Sequence, residues 1–310
     1  LSTAGRGPLR LGTRKSPMAL AQSRIVADAL SERTGHAVEL VGVTTEGDVS
    51  KALLAQIGGT GVFVNGLRDK LLSGEVDFAV HSLKDLPTAP ADGLVIAATP
   101  SRDDPRDALC GPAKLADLPR GARVGTGSPR RVAQLRALRP DLDVVPIRGN
   151  ADTRLRKVAE GELDAVVLAF AGLTRLGRQD AVAEVFDPEQ MLPAPGQGAL
   201  ALECRADRAD LRALLAAVDD LPTRRAVTAE RTVLAVLEAG CSAPVGTYAA
   251  EVEEELRLTA TVVSYDGGRQ VRLSASGHPE RAEEIGRELS HRLLGQGADQ
   301  LMGERDIEPR

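Results

Sequence analysis

Arginine recurs in this chain beside glycine-containing turns where a strand is expected to hand over to a helix. The segment Gly125-Thr126-Gly127-Ser128-Pro129-Arg130-Arg131 follows one strand and opens a helix. Free backbone N–H groups, the positive end of the helix dipole and two guanidiniums make an anion site there. The same residues also read as a surface helix start with solvated arginines. The segment is not a dinucleotide fingerprint, because Arg130 stands where a third glycine is required, and no Walker A lysine is present. Arg148-Gly149-Asn150 with Arg154 repeats the arrangement after the next strand, and Arg14 in Gly12-Thr13-Arg14 marks a third strand end. One such arginine is unremarkable. Three strand ends carrying arginine point to a ligand with several carboxylates or phosphates, which the planar guanidinium fork matches.

Two further segments carry chemistry of other kinds. His81-Ser82-Leu83-Lys84-Asp85-Leu86-Pro87 follows a buried strand. An ionised Asp85 beside Lys84 suits a cationic or N–H-bearing ligand, and equally suits a helix cap or a surface pair. Gly240-Cys241-Ser242-Ala243-Pro244 sets a thiol in a loop after a helix, where a nucleophile or a modified cysteine has access. A cysteine also commonly serves as a small buried hydrophobe. No Ser-His-Asp or Cys-His pattern is established.

Composition narrows the classes. A chain of 310 residues suits two or three domains, and 43% hydrophobic residues suit packed cores. Aromatics at 2%, without Trp, and a net charge of −5 argue against a nucleic-acid partner. No apolar run approaches the roughly 18–20 residues of a membrane span, so no membrane partner is expected. Cys110, Cys204 and Cys241 lie far apart with no CxxC pair, and the four histidines are scattered, so no metal is expected. The sparse cysteines and the absence of an apolar signal-peptide core in residues 1–10 suit the cytoplasm. Arg outnumbers Lys 33 to six, and residues 120–160 hold ten basic side chains against four acidic ones. A GC-rich coding preference accounts for the total as well as function does, but not for the clustering.

The elements that must position these residues follow a βαβ rhythm. Strands are expected at 9–13, 38–43, 77–80 and 94–98, with helices from Ser16-Pro17 and over 62–72. A Pro- and charge-rich stretch at 100–105 reads as a domain crossing. The rhythm restarts with strands at 123–125, 143–147 and 164–169 and helices at 128–138 and 152–160. A Pro/Gly cluster at 192–196 returns the chain, and 199–203 reads as a strand rejoining the first sheet. From about 221 a helix (223–238), β-like runs (245–252, 256–264, 270–276) and a helix (279–294) make a small α+β domain. The fold class is therefore α/β: two α/β domains forming a cleft, 8–100 plus 199–219 and 104–193, followed by an α+β domain at 222–305. Gly58, Gly59 and Gly61 mark 46–61 as a mobile loop or lid, and almost as well as an ordinary surface loop. No internal repeat is apparent.

Several strings resemble one family closely. Gly12-Thr13-Arg14-Lys15-Ser16-Pro17, Val80-His81-Ser82-Leu83-Lys84-Asp85-Leu86-Pro87-Thr88, Arg102-Asp103-Asp104-Pro105-Arg106-Asp107-Ala108, Arg148-Gly149-Asn150, Pro195-Gly196-Gln197-Gly198-Ala199 and Glu238-Ala239-Gly240-Cys241-Ser242-Ala243-Pro244 are similar, in order, to the hydroxymethylbilane synthase (porphobilinogen deaminase) family. The resemblance spans nearly the whole chain. It implies two domains related to periplasmic binding proteins and a third that carries the cofactor cysteine. It implies a reaction in which porphobilinogen loses ammonia to give an electrophilic azafulvene, which the enzyme-bound pyrrole attacks. Four cycles and hydrolysis give hydroxymethylbilane.

The resemblance also assigns roles. A dipyrromethane cofactor is attached to Cys241 as a thioether, and Asp85 is catalytic, contacting pyrrole N–H groups and developing positive charge. Ser82, Lys84, Asp85, Thr126, Ser128, Arg130, Arg131 and Gly149 hold the cofactor. Arg14, Arg148, Arg154, Arg175 and Gln197 bind substrate. Each pyrrole bears an acetate and a propionate, which gives the arginine concentration a purpose. Many members carry lysines in the mobile loop where this sequence has Gln56 and Thr60; Lys51 is a nearby cation. A monomer with a small-molecule substrate, porphobilinogen, is implied. The rival reading is a non-catalytic solute-binding or sensor protein for a polycarboxylate ligand, which leaves the Cys241 domain unexplained.

Overall fold

The computed structural model describes residues 7–44, 64–240 and 243–303. The chain divides into two compact units, Leu1–Arg102 with Ala199–Arg224 and Asp103–Gly198 with Arg225–Arg310. The lid reading at 46–61, with Lys51, Gln56 and Thr60, lies outside the described residues, and so does Cys241.

In the first unit, β1 (Leu9–Arg14), β2 (Val38–Val43), β3 (Phe78–Ser82), β4 (Leu94–Ala98) and the returning strand β10 (Leu200–Arg205) form a sheet in the order β2-β1-β3-β10-β4. β1 runs parallel to β2 and β3, whereas β10 is antiparallel to both β3 and β4. Helix α1 (Pro17–Thr34) starts where the sequence signals it: Ser16 is extended and its hydroxyl accepts the Ala19 N–H at 3.3 Å. Val26, Ala27 and Leu30 of α1 pack with Phe78 and Val80 and with Leu211 and Leu215 of α6 (Ala209–Leu215). Ala79 points to the other face, where Leu67 and Leu71 of α2 (Asn65–Leu72) meet Val43 and Val76. Both faces are covered, which is why β3 opens with three consecutive apolar residues, Phe78-Ala79-Val80.

The second unit holds β5 (Asp107–Cys110), β6 (Arg123–Gly125), β7 (Asp143–Val145), β8 (Ala165–Ala169) and β9 (Val182–Val185), in the order β7-β6-β8-β5-β9. β6 is parallel to β7 and β8, and β5 is antiparallel to β8 and β9. This is the strand order of the first sheet, with one antiparallel strand in the fourth place. The correspondence reaches the sequence: Gly12-Thr13 leads to Ser16-Pro17 as Gly125-Thr126 leads to Ser128-Pro129. The repeat thus exists in topology and in one short motif, which is why no repeat is apparent along the chain. Helices α3 (Pro129–Leu138), α4 (Ala151–Ala159) and α5 (Phe170–Arg175) cover this sheet, with Leu135 on one face and Leu155, Val158 and Leu173 on the other.

The rest of the unit is α+β. Strands β11 (Val245–Val252), β12 (Glu255–Val263) and β13 (Gln270–Gly277) form an antiparallel sheet. It shares a core with α7 (Leu221–Val236), α8 (Ala282–Gly295) and α9 (Ala298–Gly303). Glu230 of α7 is fully buried and accepts the N–H groups of Gly196 at 2.7 Å and Ala249 at 2.8 Å, pinning the returning segment to β11. Arg136 Nη1 donates to Tyr265 O at 2.8 Å, and Arg272 donates to Pro188 O and Glu189 O. These bonds join the α+β part to the second α/β part. The fold class expected from the sequence is therefore present: two α/β sheets and a small α+β part.

Candidate cofactor and substrate site

In the first unit the candidates gather at the carboxyl ends of the parallel strands. Arg14 is the last residue of β1 and Ser82 the last of β3. A single 3-10 turn, Leu83–Asp85, follows, closed by Leu86 N–H donating to Leu83 O at 3.2 Å. Leu83 and Leu86 are buried, and Leu83 N–H donates to Ala199 O at 3.0 Å, so the turn is anchored while Asp85 stays exposed. Ser82 Oγ accepts from Gln22 Nε2 at 2.8 Å.

Behind this turn lies a charged group that sequence reasoning assigned no role. Glu203 of β10, 3% exposed at its side chain, takes Arg68 Nη2 at 2.8 Å and Nε at 3.1 Å. His81 Nε2 lies 3.1 Å from Glu203 Oε2, at pairing distance but off the hydrogen-bond axis. Burial opposes ionisation of Glu203, yet His81 and Arg68 outweigh it and hold the carboxyl below the usual carboxylate range.

In the second unit the remaining described candidates lie along the corresponding edge. Thr126 is buried, and its hydroxyl accepts the Ser128 N–H at 3.2 Å. Ser128 stands at the N-cap of α3 but its hydroxyl makes no capping bond, unlike Ser16. After β7, Asn150 caps α4 by accepting the Thr153 N–H at 2.9 Å. Gly149 has φ 105°, and a Cβ there would sit 2.8 Å from Thr153 Cγ2, so a glycine is required by the backbone itself. Arg148, just before Gly149, is half-buried. Arg154 Nε donates to Gly149 O at 2.9 Å, and burial together with the nearby positive Arg131 lowers the proton affinity of its guanidinium. Arg175 donates from Nε to Asp103 Oδ2 at 2.7 Å and from Nη2 to Gly198 O at 2.6 Å. Burial lowers the Arg175 pKa and Asp103 partly offsets that.

Arg130 and Arg131 meet on Asp107, the first residue of β5. Because β5 is antiparallel to β8 (Asp107 faces Ala169), its start lies at the carboxyl ends of β6 and β8. Asp107 is completely buried; Oδ2 takes Arg130 Nη1 at 2.6 Å, and Oδ1 takes Arg131 Nη2 at 2.7 Å and Nε at 3.0 Å. Burial opposes ionisation, but the two guanidiniums hold the carboxyl far below its ordinary range. Gln197 is 1% exposed, and its Nε2 donates to Asp107 Oδ1 at 2.8 Å and to Pro105 O at 2.7 Å. The structure thus brings Gln197 to the arginines but directs its amide nitrogen inward. The sequence signal for Asp107 is a carboxylate opening an otherwise apolar strand, Asp-Ala-Leu-Cys.

This donor set fits a carboxylate-bearing cofactor. Arg130 Nε is buried without a partner, beside a helix start whose N-cap hydroxyl makes no capping bond. Cys110 and Cys204 are free, buried and pushed up by burial to about 12 and about 11, values of inert thiols. No group of three or more metal-ligating side chains occurs among the described residues, and no described helix is long and apolar enough to cross a membrane.

Two family profiles match this chain: "Porphobilinogen deaminase, dipyromethane cofactor binding domain" over residues 9–213, and "Porphobilinogen deaminase, C-terminal domain" over residues 224–295. The chain belongs to the porphobilinogen deaminase family. It is 63% identical over 308 residues to a porphobilinogen deaminase of Thermobifida fusca, covering 96% of each chain. It is 59% identical over 312 residues to porphobilinogen deaminase 1 of Streptomyces coelicolor, covering 96% of this chain and 98% of that one. Among solved structures it is similar to the VFT2 domain of Bordetella pertussis BvgS, with TM-score 0.42, 20% identity, and coverage of 68% of this chain and 86% of that one.

The crossing that carries Gln197 yields one test of the family fold. Gly198 has φ 86°, and a Cβ there would lie 2.5 Å from Asp103 O, a backbone atom with little freedom to move. Gly198→Ala is expected to destabilise the second unit by roughly 2–4 kcal/mol. A urea melt that leaves the midpoint unchanged would contradict the strain assigned to this position.

Proposed function

We propose that this chain is a transferase that joins four porphobilinogen molecules head to tail into hydroxymethylbilane, releasing one ammonia per condensation and a product that leaves by hydrolysis, in tetrapyrrole biosynthesis. The observation that carries this reading is the arginine-rich edge of the second sheet, in a chain of the porphobilinogen deaminase family, with Arg130 Nε buried and unpartnered.

Cys241 would hold the dipyrromethane as a thioether, and when bound that group would supply the nucleophilic pyrrole carbon the reaction needs. Arg130 and Arg131, with Thr126, Ser128, Gly149, Ser82 and Lys84, hold the acetates and propionates of that group. Arg14, Arg148, Arg154, Arg175 and Gln197 bind incoming substrate, the arginines through its carboxylates. Guanidiniums suit this work because they grip carboxylates with paired donors and keep their charge even when buried. Asp85 contacts pyrrole N–H groups and stabilises the positive charge that grows on the substrate as ammonia departs. A fixed carboxylate on an anchored turn does this without reorganisation.

The working division is three domains, 8–100 plus 199–219, 104–193 and 222–305, acting as a cytoplasmic monomer with no nucleic-acid partner. The deciding experiment is the intact mass of the denatured chain after incubation with porphobilinogen, followed by peptide fragmentation. A dipyrromethane increment mapped to Cys241 is expected. No adduct and no product would favour the solute-binding or sensor reading instead.

A further inference from the structure

The geometry points to Asp107 as a positioning residue for cofactor assembly: its carboxylate fixes Arg130 and Arg131 in the orientation that presents them to the ligand carboxylates. The inference rests on the function proposed above and adds a residue to it.

The bonding around Asp107 is lopsided in an informative way. Oδ1 accepts three donors, Nε and Nη2 of Arg131 and Nε2 of Gln197, while Oδ2 accepts Arg130 Nη1. The remaining donors are sorted by this arrangement. Arg131 Nη1 is directed to Val167 O at 3.0 Å, and Arg130 Nη1 is shared with Leu192 O at 2.6 Å. Arg130 Nε is left buried with no partner. A lone buried donor on a cation is costly unless something arrives to use it.

Stability alone is a poor reason for this cluster. A fully buried ion triad often contributes no more than an apolar replacement of the same volume, because three charges have lost their water. What such a cluster does provide is fixed geometry. Two guanidiniums tethered to one carboxylate lose their rotamer freedom before the ligand arrives, and preorganised donors bind and stabilise charge better than mobile ones. Asp107 also cancels one of their two positive charges, which lets both sit adjacent at the helix start. Gln197 completes the tether from the returning segment, since its amide holds Oδ1 and Pro105 O together.

The test uses the full chain produced without a porphobilinogen supply, then given porphobilinogen, with dipyrromethane loading followed by intact mass and folding by thermal melting. Asp107→Asn is expected to melt cooperatively and to load at least tenfold more slowly than the wild-type chain. Asp107→Ala is expected to recover loading severalfold in sodium formate, whose carboxylate can replace the missing one, and not in sodium chloride of equal concentration. A folded Asp107→Asn that loads at the wild-type rate overturns the inference. So does formate that raises the melting temperature of Asp107→Ala without restoring loading, which marks a merely structural role. If Asp107→Asn does not fold, Gln197→Met decides: it keeps the charge and loses the tether, and a wild-type loading rate overturns the inference. A wild-type chain that never loads defeats the proposed function, and this inference with it.

Discussion

Asp85→Ala is expected to lose turnover by roughly a thousandfold, the upper range for removing one preorganised electrostatic contact, while the melting midpoint barely moves. The two halves of this expectation come from different atoms. The turn that carries Asp85 is held by Leu83 and Leu86, both buried, and by the Leu83 N–H bond to Ala199 O. None of these involves the Asp85 side chain, which is exposed. Exposed substitutions away from caps and networks usually change stability by less than about 0.5 kcal/mol. The chemistry, in contrast, requires a negative charge where ammonia departs. Steady-state product formation and a thermal melt on the same preparation check both halves. Near-wild-type tetrapyrrole formation by a folded variant would remove Asp85 from the mechanism.

Arg68→Met should destabilise the first unit by roughly 3–5 kcal/mol at neutral pH. Met preserves much of the stem volume, so the loss isolates the charge. Glu203 would remain buried on β10, with His81 3.1 Å away and no guanidinium. The pH dependence gives a signature that a packing defect lacks. In the wild-type chain the Glu203 carboxyl is held down, so its contribution is fully present above the ordinary carboxylate pKa and is lost as pH falls through the depressed value. Without Arg68, burial is no longer outweighed to the same degree, and the carboxyl rises. Protonation then relieves the variant at a pH where the wild-type chain gains nothing. The difference in denaturant midpoint should therefore narrow between pH 7.5 and pH 5. A constant gap would mean that the lost interaction is packing rather than charge.

Local chemistry was readable from the residues, and long-range pairing was not. Ser16-Pro17 and Ser128-Pro129 announce their helices because an N-cap and a first-turn proline act within four residues. The apolar runs of β3 and β8 announce buried strands for a similarly local reason. Strands β5 and β9, four residues each, were missed because neither leads into an α-helix start, the signal that marks the still shorter β6 and β7. The two carboxylates that organise the site were missed for another reason. Asp107 acquires its meaning from arginines 23 and 24 positions away and from Gln197, 90 positions away. Glu203 takes its own from Arg68, 135 positions away. Nothing in Asp-Ala-Leu-Cys or Leu-Glu-Cys-Arg names such partners. The arginines were found because their residue type is informative alone, although their inward bonds to Asp107 and Asp103 were not foreseen.

The place of β10 has a consequence for how the chain comes into being. β3 and β4 are close in sequence but do not pair with each other; β10 lies between them and bonds to both. The first sheet therefore cannot close until residues 200–205 have been synthesised, after every strand of the second sheet has already been made. Until then the nascent protein displays two open strand edges, each able to template an unwanted partner. The N-terminal sheet, first to be begun, is completed only after the second sheet has all its strands, and the demand for protection during biosynthesis falls on that interval.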